Sequence, residues 1–521
     1  MPKNISNFQN RKEKYNFDDA VTFTGYGAYN IYLLFTVGGF LMCVIIETMS
    51  MMFIVPAAKC DLNLSLSQQG LLSSISFFGV VASSYIWGFL ADTQGRRKVL
   101  IISLISSFIT SIICSLISYS SLFILLRFLN GACVGGASSI TYAYIGEFHN
   151  DKLRPKIVSG VAVFVAFGNT YLPGMAWVIL PQEWRVNIEF LNLVFRPWRL
   201  LLIIYALPSL LFAVLIYLLP ESPKFLMTQG KYQEALEILK SMFSINKGMS
   251  KDDFVVSEIT WEDTGPVKER SFLKTIWKQT APILKRPLLY KTIGVSILQF
   301  GIFASTSGMI MWYPTILNTM SQFTEYKPDE ELTLCRSIYW EQDLKTTALQ
   351  DTVNETTNNF IKECNDVVKT DVFLVSLAIG IIYAFMYIFI GLLINIIGKK
   401  NLLCLFLVTA TTAGMISQYI VGYQLIQILI AIFVTGGVQV GIVNAVVVDL
   451  FPTKVRAMAL AMSLMFGRLG AMVGTNAVGP LIYNWCDYIF YIFTANHIVL
   501  LIVIYLLPST RPLEKIVDDS A

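Results

Sequence analysis

The hydropathy of this chain constrains its fold more than any other feature. About twelve apolar runs follow one another along the 521 residues. Each run is near the length of about 20 residues that an α-helix needs to cross a bilayer. Hydrophobic residues make up 55% of the chain and charged residues 14%, whereas soluble domains are about a quarter charged. We therefore predict an all-α membrane protein with twelve transmembrane helices.

The runs fall into two sets of six. They lie near residues 30–56, 70–90, 99–118, 121–147, 156–180, 198–219, 290–317, 371–397, 401–420, 424–450, 455–483 and 488–508. This spacing predicts an N-terminal tail (1–29), a first six-helix bundle (30–219), a linker (220–289), a second six-helix bundle (290–508) and a C-terminal tail (509–521).

A charged turn after the second run has a degenerate copy in the second bundle. Gly88 corresponds to Gly391, and Asp92 corresponds to Asn395, both at an offset of 303 residues (391 − 88 and 395 − 92). Landmarks that recur in one order at one offset indicate duplicated halves. We therefore expect the two bundles to be related by pseudo-symmetry.

Basic residues are concentrated in the loops that would lie on one side of the membrane. These include Arg96, Arg97, Arg154, Lys399 and Arg456. Because short cytoplasmic loops carry an excess of Lys and Arg, we predict that both termini are cytoplasmic. The segment 230–240 in the linker has apolar residues at helical spacing and is predicted to form an amphipathic helix at that face. A merely solvated linker is the alternative.

The polar loop 318–370 then lies outside the cytoplasm. It holds Cys335, Cys364 and a glycosylation sequon at Asn354. In an oxidising compartment, we expect Cys335 and Cys364 to pair and Asn354 to be glycosylated. Cys60 and Cys486, in other outside turns, could also pair, but the sequence does not decide this.

Two charged residues near the middle of predicted helices are candidates for a transport pathway. Glu47 lies in the first helix and Arg468 in the eleventh. A charge inside the membrane is costly and usually faces a cavity or a partner. We interpret Arg468 as an anion contact and Glu47 as a proton carrier or a contact for a cationic group. The structural alternative is that the two pair with each other or with buried carbonyls.

Other polar or aromatic residues in the predicted spans are weaker candidates for the cavity wall, because such residues often make only interhelical hydrogen bonds. They are Asn169, Gln299, Ser305, Thr306, Trp312, Tyr313, Gln439, Asn444 and Asn476.

Matched acids and bases at the predicted inner ends of both bundles suggest a gating latch. Glu147 and Arg154 are seven residues apart, as are Asp449 and Arg456 (154 − 147 and 456 − 449). We hypothesise that ion pairs form there when the cytoplasmic side is closed. The predicted latch residues are Asp92, Arg96, Arg97, Glu147, Arg154, Glu221, Asp449 and Arg456.

Several functional classes are disfavoured. The chain has only two histidines and lacks the common zinc, hydrolase and P-loop patterns, so we expect no metal, no cofactor and no enzymatic activity. A net charge of +4 spread over short loops does not indicate nucleic-acid binding. The expected partners are the lipid bilayer, a small organic solute and a co-transported ion, and the oligomeric state is left open.

Three motifs resemble those of the major facilitator superfamily. They are Gly88-x-x-x-Asp92-x-x-Gly95-Arg96-Arg97, Arg127-Phe-Leu-x-Gly131-x-x-x-Gly135-Gly136 and Pro220-Glu-Ser-Pro-Lys-Phe. Within that superfamily the chain is most similar to the synaptic vesicle glycoprotein 2 group, including insect relatives, and to organic-ion transporters. The segments Glu47-Thr-Met-Ser-Met and Pro197-Trp-Arg carry this second resemblance.

The resemblance implies two bundles around a central cavity and transport by alternating access. It also implies that Glu47 matches an important acidic position of the vesicle proteins and that Arg468 matches a basic position of organic-anion carriers. The second copy of the loop motif has lost its acid and both arginines, and the outside loop is shorter than in the vertebrate vesicle proteins.

The sequence thus predicts a secondary transporter of a small organic solute in the plasma membrane or a vesicle membrane, with an organic anion favoured and ion coupling expected. A glycoprotein that binds partners or regulates vesicle traffic without transport is the alternative. A channel fits the duplicated bundles less well.

Overall fold

The computed structural model describes residues 13–150, 153–161, 163–191, 193–260, 280–354 and 367–508. In this part of the chain, eleven helices are long and apolar enough to cross a membrane. A twelfth apolar segment is formed by two shorter helices, Arg154–Val161 and Val163–Ile179. The prediction of an all-α membrane fold with two six-helix bundles is confirmed.

The described residues of the first half form nine helices and three short strands. They are β1 (Glu13–Asn16), α1 (Phe17–Phe23), α2 (Ala28–Met49), α3 (Met51–Ala58), α4 (Leu66–Gln94), α5 (Arg96–Ser115), α6 (Ser120–Gly146), α7 (Arg154–Val161), α8 (Val163–Ile179), β2 (Val186–Ile188), β3 (Leu193–Phe195) and α9 (Pro197–Tyr217). Helices α2 and α3 together make the first span, and α7 and α8 make the fifth.

The linker and the second half continue the same pattern. The linker contains α10 (Pro223–Thr228), α11 (Tyr232–Lys247) and β4 (Val256–Thr260). The second half contains α12 (Leu288–Tyr326), α13 (Leu334–Asn354), α14 (Thr370–Ile397), α15 (Lys399–Tyr419), α16 (Tyr423–Thr435), α17 (Gln439–Leu450), α18 (Thr453–Asn484) and α19 (Ile489–Leu506). A single 3₁₀ turn, Gly436–Val438, joins α16 and α17 into one span.

Glycines place the sharp turns that the duplicated motif predicts. Gly95, between α4 and α5, has a φ of +102°, and Gly398, between α14 and α15, has a φ of +87°. Residues with a side chain rarely adopt such angles, so glycine ends one helix and starts the next within a single residue. The two glycines are 303 residues apart (398 − 95), as the pseudo-symmetry requires.

The molecule has two ends, which we call the basic-loop face and the disulfide face. The basic-loop face carries Arg96, Glu147 and Lys399, and the disulfide face carries Cys335 and Cys486. The halves meet mainly where α4 packs on α18 and where α8 packs on α14. A β-carbon on Gly380 of α14 would lie 2.8 Å from the carbonyl oxygen of Asn169 in α8.

A small layer of helices and strands covers the basic-loop face of the first half. Strand β1 pairs in parallel with β4, and Lys14 forms an ion pair of 2.7 Å with Glu258. Helix α11 occupies the segment where the amphipathic helix is expected and buries Ala235, Leu236 and Leu239 in an apolar cluster that includes α1 and β4. The apolar face of α11 therefore packs against protein.

The side chain of Asn246 joins this layer to the first membrane span. Its Oδ1 accepts a hydrogen bond of 3.1 Å from the backbone N–H of Tyr29, and its Nδ2 donates to Asn30 Oδ1 at 2.8 Å. Asn30 in turn hydrogen-bonds the ring of buried His149 at 2.9 Å. Burial lowers the pKa of His149, which favours the neutral ring that this contact uses.

The predicted pairing of Cys335 with Cys364 is wrong. Cys335 forms its disulfide with Cys486, at a Cα–Cα distance of 5.5 Å and a sequence separation of 151 residues. The spacing of cysteines within one loop cannot reveal that the first turn of α13 packs beside the turn after α18. Because Cys486 is bonded to Cys335, it is not paired with Cys60. Cys60 is itself in a disulfide.

Two other predictions concern Cys364 and Asn354. Cys364 lies outside the described residues. Asn354 is the last residue of α13, and the remainder of its sequon lies outside the described residues. Glycosylation of Asn354 therefore stays a prediction.

We expect non-reducing peptide mapping to recover one peptide pair that contains both Cys335 and Cys486. The variant Cys335→Ala should lose about 2–4 kcal/mol of unfolding free energy, because the disulfide restricts a long loop in the unfolded chain. Thermal unfolding of the purified protein measures this change. Cys404→Ala, which removes a half-buried free thiol, is the control and should cost less. A peptide that links Cys335 to Cys364 would contradict the assignment.

Candidate functional site

Glu47 lies inside the first half and forms an ion pair with Arg127. Glu47 Oε2 is 3.4 Å from Arg127 Nη1, and the two side chains are 1% and 0% exposed. Ser111 donates a hydrogen bond of 2.7 Å to the same carboxylate oxygen. Glu47 comes from α2, Ser111 from α5 and Arg127 from α6, so the pair joins three helices.

Other polar groups surround this pair. Arg127 Nη2 donates to the backbone oxygen of Glu47 and to Ser50 Oγ at 3.0 Å, and Asn130 donates to Ser111 Oγ at 3.0 Å. Among the described residues, Glu47 Oε1 and Arg127 Nε have no hydrogen-bond partner. The carboxylate therefore keeps one free oxygen in a buried polar pocket. A proton or a water molecule can bind to that oxygen.

Arg468 lies at the interface between the halves. From α18 in the second half, its guanidinium donates to Ser138 Oγ of α6 and to Ser84 Oγ of α4, the latter at 3.5 Å. Within the described part of the chain, no carboxylate lies within ion-pair distance of Arg468. The two predicted charges are thus not brought together, and among the described residues the hydrogen-bond partners of the Arg468 guanidinium are hydroxyl groups.

Most of the weaker candidates in the second half bond to each other or to backbone. Gln299 Nε2 donates to Asn444 Oδ1 at 2.9 Å, and Trp312 Nε1 donates to a backbone oxygen at 2.8 Å. Ser305 hydrogen-bonds the ring of His497 at 3.0 Å. Thr306 donates to the carbonyl of the preceding turn, and the buried Gln439 keeps one unbonded oxygen.

Three candidates face the interface between the halves. Asn476 of α18 donates to Ser74 Oγ of α4 at 2.5 Å. Asn169 and Tyr313 line a cavity of about 20 Å³ together with Ser376 of α14. That volume holds about one water molecule. The halves are therefore closely packed toward the disulfide face, where these residues lie.

The predicted latch residues of the first half form pairs within that half. Arg96 lies 3.2 Å from Glu147 and 3.1 Å from Asp92. Glu221 accepts hydrogen bonds from the backbone N–H groups of Arg96 and Arg97, at 3.0 and 3.1 Å. Burial raises the pKa of Glu147, and the positive charge of Arg96 opposes this shift. These contacts fix the N-terminus of α5 to the linker.

The latch residues of the second half also bond locally. Asp449 lies 2.5 Å from Lys399, and Arg456 donates to a backbone oxygen at 3.4 Å. Arg154, in the first half, donates to the backbone oxygen of Gly146 at 2.9 Å. The contacts named here each lie within one half, and a latch between the halves stays a prediction.

A family profile described as Major Facilitator Superfamily matches residues 36–329 and 352–520 of the chain. The chain belongs to the Major Facilitator Superfamily. This membership makes it a multi-pass membrane protein of a transporter family, which favours a transporter over an enzyme.

Curated members of the Major Facilitator Superfamily share recognisable sequence with the chain. It is 30% identical over 336 residues to synaptic vesicle glycoprotein 2B of Homo sapiens, covering 60% of the chain and 49% of that protein. It is 29% identical over 323 residues to synaptic vesicle glycoprotein 2C of Rattus norvegicus, covering 58% and 44%. The chain thus spans about half the length of these relatives.

Solved structures of the Major Facilitator Superfamily share its fold. A partially occluded inward-open structure of the xylose transporter from E. coli matches with a TM-score of 0.63 at 17% identity. The matched region covers 93% of the chain and 98% of the xylose transporter. A D-xylose-proton symporter matches with a TM-score of 0.61 at 16% identity, with coverage of 93% and 98%. At this low sequence identity, the structural similarity shows that the fold is shared.

Sequence reasoning missed Arg127 as the partner of Glu47. The signal was present, because Arg127 opens the fourth-span motif of the Major Facilitator Superfamily and lies in an apolar run. A charge in such a run calls for a buried partner of opposite sign. Which acid supplies it depends on how α2 and α6 pack, and that is visible only in three dimensions.

Removing one member of the Glu47–Arg127 pair should destabilise the protein strongly. Arg127→Gln or Glu47→Gln leaves one buried charge uncompensated, at a cost of about 3–5 kcal/mol. The double variant carries neither charge and should be more stable than either single variant. Thermal unfolding in detergent measures this, with exposed Arg336→Gln as the control. A double variant that loses the sum of both single losses would argue against direct pairing.

The close contact at Gly380 should be necessary for the halves to close. Gly380→Leu places side-chain atoms where the Asn169 carbonyl now lies, so α8 and α14 must separate at the disulfide face. We expect faster amide hydrogen exchange at the ends of both helices on that face, measured by mass spectrometry. Gly391→Leu on the same helix is the matched control, because no heavy atom lies within 4 Å of a β-carbon there. Equal exchange in both variants would refute this role.

Proposed function

We propose that the chain is a proton-coupled secondary transporter of a small organic anion, which works by alternating access between its two halves. The observation that carries the proposal is Arg468, a guanidinium at the interface of the halves with hydroxyl contacts and no described carboxylate partner. The general function, transport of a solute across a membrane, is supported by membership of this superfamily.

The geometry of Arg468 favours an anionic solute. A guanidinium offers two parallel N–H groups that match a carboxylate or a phosphate. Ser84 and Ser138 now accept from those groups, and both are on the opposite half of the molecule. An anion that replaces them would contact both halves at once. Binding would therefore be coupled to the relative position of the halves, as alternating access requires.

The Glu47–Arg127 pair favours a proton as the coupling ion. A metal cation beside Glu47 would be repelled by the guanidinium of Arg127, which lies 3.4 Å from the carboxylate. A proton needs no coordination shell of its own, and when it neutralises Glu47 it releases Arg127 from the ion pair. Two solved structures that share this fold are those of proton symporters of xylose, so the fold is compatible with proton coupling.

The orientation follows from charge and from cysteine chemistry. We propose that the basic-loop face is cytoplasmic, in keeping with the positive-inside rule. The disulfide face would then lie in an oxidising compartment, outside the cell or in a vesicle lumen, where the Cys335–Cys486 bond is stable. Both termini would be cytoplasmic.

A second candidate function is supported by the curated relatives. They are named as synaptic vesicle glycoproteins, and the chain carries a sequon at Asn354 on the proposed outer side. The chain would then bind partners or act in vesicle traffic without moving a solute. The guanidinium of Arg468 favours transport, because it lies at the interface of the halves and no described carboxylate neutralises it.

Uptake into proteoliposomes tests the transport proposal. The purified protein is offered a panel of organic anions, organic cations and sugars, with and without an inward proton gradient. We expect an organic anion to accumulate. Arg468→Ala should lower its uptake about 10- to 100-fold, the range expected for loss of a hydrogen bond to a charged group. Arg468→Lys should restore only part of it, because an ammonium lacks the paired donors.

Two further variants separate coupling from binding. Glu47→Gln should remove the acceleration by the proton gradient. Arg336→Ala, on an exposed residue of α13, should leave uptake unchanged. The outcome that would contradict the proposal concerns the unmutated protein. If it is folded, as shown by a cooperative melting transition, and moves no solute of the panel, transport of organic anions, organic cations and sugars is refuted. The glycoprotein candidate then takes precedence.

A further inference from the structure

One ion pair between described residues connects the two halves. Lys59 Nζ lies 4.0 Å from Glu341 Oε1 on the disulfide face, and the side chains are 21% and 14% exposed. Lys59 directly follows α3 in the first half, whereas Glu341 is on α13 in the second half. The other ion pairs between described residues each stay within a half or its linker.

Helix α13 is fixed to the second half by several contacts. The disulfide joins Cys335, in its first turn, to Cys486 after α18. Glu341 Oε2 accepts hydrogen bonds from Thr319 of α12 at 2.7 Å and from Tyr483 of α18 at 3.1 Å. The carboxylate of Glu341 is therefore held in place by the second half even without Lys59.

The backbone of Lys59 is held by the first half. Its backbone oxygen accepts a hydrogen bond of 2.9 Å from the N–H of Leu64, in the turn that leads to α4. Deeper in the same face, the ring of Phe53 in α3 lies 6.0 Å from the ring of Phe373 in α14. An apolar contact and an ion pair thus follow one another along the boundary of the two halves.

We propose that Lys59 and Glu341 form a gate on the disulfide face, with α13 as its lid. The proposal relies on the alternating-access function argued above. Because each partner is fixed to its own half, any motion that separates the halves on this face must break the pair. The lid therefore favours the conformation in which the disulfide face is closed. The gate opens when solvent and a bound solute compensate for the lost contact.

Distance measurements between spin labels test the gate. Labels are placed at Tyr119 in the first half and Tyr488 in the second, both exposed on the disulfide face, in a background where the four free cysteines are alanine. Lys59→Met should increase the ratio of long to short distances about two- to five-fold, as expected for loss of a partly exposed ion pair. Glu341→Gln should do the same, and its amide oxygen still accepts from Thr319 and Tyr483.

A double-mutant cycle identifies the pair as the cause. If Lys59 and Glu341 act on each other, the double variant should resemble either single variant. Lys327→Met is the matched control, because Lys327 forms a 2.5 Å pair with Glu330 within the second half, and it should leave the distances unchanged. Additive effects in the double variant, or an equal shift in the control, would overturn the gate. The experiment measures the distance between the two spin labels. Its result therefore does not depend on whether the protein takes up a solute in the proteoliposome assay.

Discussion

The ion pair of Glu47 and Arg127 is the constraint around which the first half is arranged. A charge in the membrane core cannot be hydrated, so each member of the pair must be surrounded by polar groups from the protein. Ser111, Ser50 and Asn130 supply them, from α5, the α2–α3 junction and α6. The helices that carry these groups must then stay in one register. We therefore expect the half to move as a rigid body, because separating any of these helices would leave a charge without its polar partners.

The interface between the halves is built differently. It relies on close backbone contacts such as that of Gly380 with Asn169, and on single hydrogen bonds such as that of Asn476 with Ser74. These contacts are weak one by one and can be broken without leaving a buried charge alone. Rigid halves with a separable interface are what a rocking motion requires. Charged side chains also reach this interface: Lys59 and Glu341 pair across it, and the guanidinium of Arg468 donates to the hydroxyl groups of Ser84 and Ser138.

The sequence predicts the architecture well because its determinants are local. Apolar runs define the spans, and the motif glycines Gly95 and Gly398 define the turns between them. The relations between distant segments are not predicted. Cys335 is bonded to Cys486 instead of a cysteine of its own loop, and Glu47 is paired with Arg127 instead of Arg468. In both cases the residue types are informative, but the choice among several chemically suitable partners depends on helix packing.

The parallel pairing of β1 with β4 has a consequence for how the chain is made. Strand β1 precedes the six spans of the first half, yet Glu13 has its partner at Val256, on the other side of those spans. The pairing cannot form until those spans have been synthesised. Contacts of such long sequence separation form late in folding. Closure of this small sheet therefore requires that the whole first half has already been synthesised.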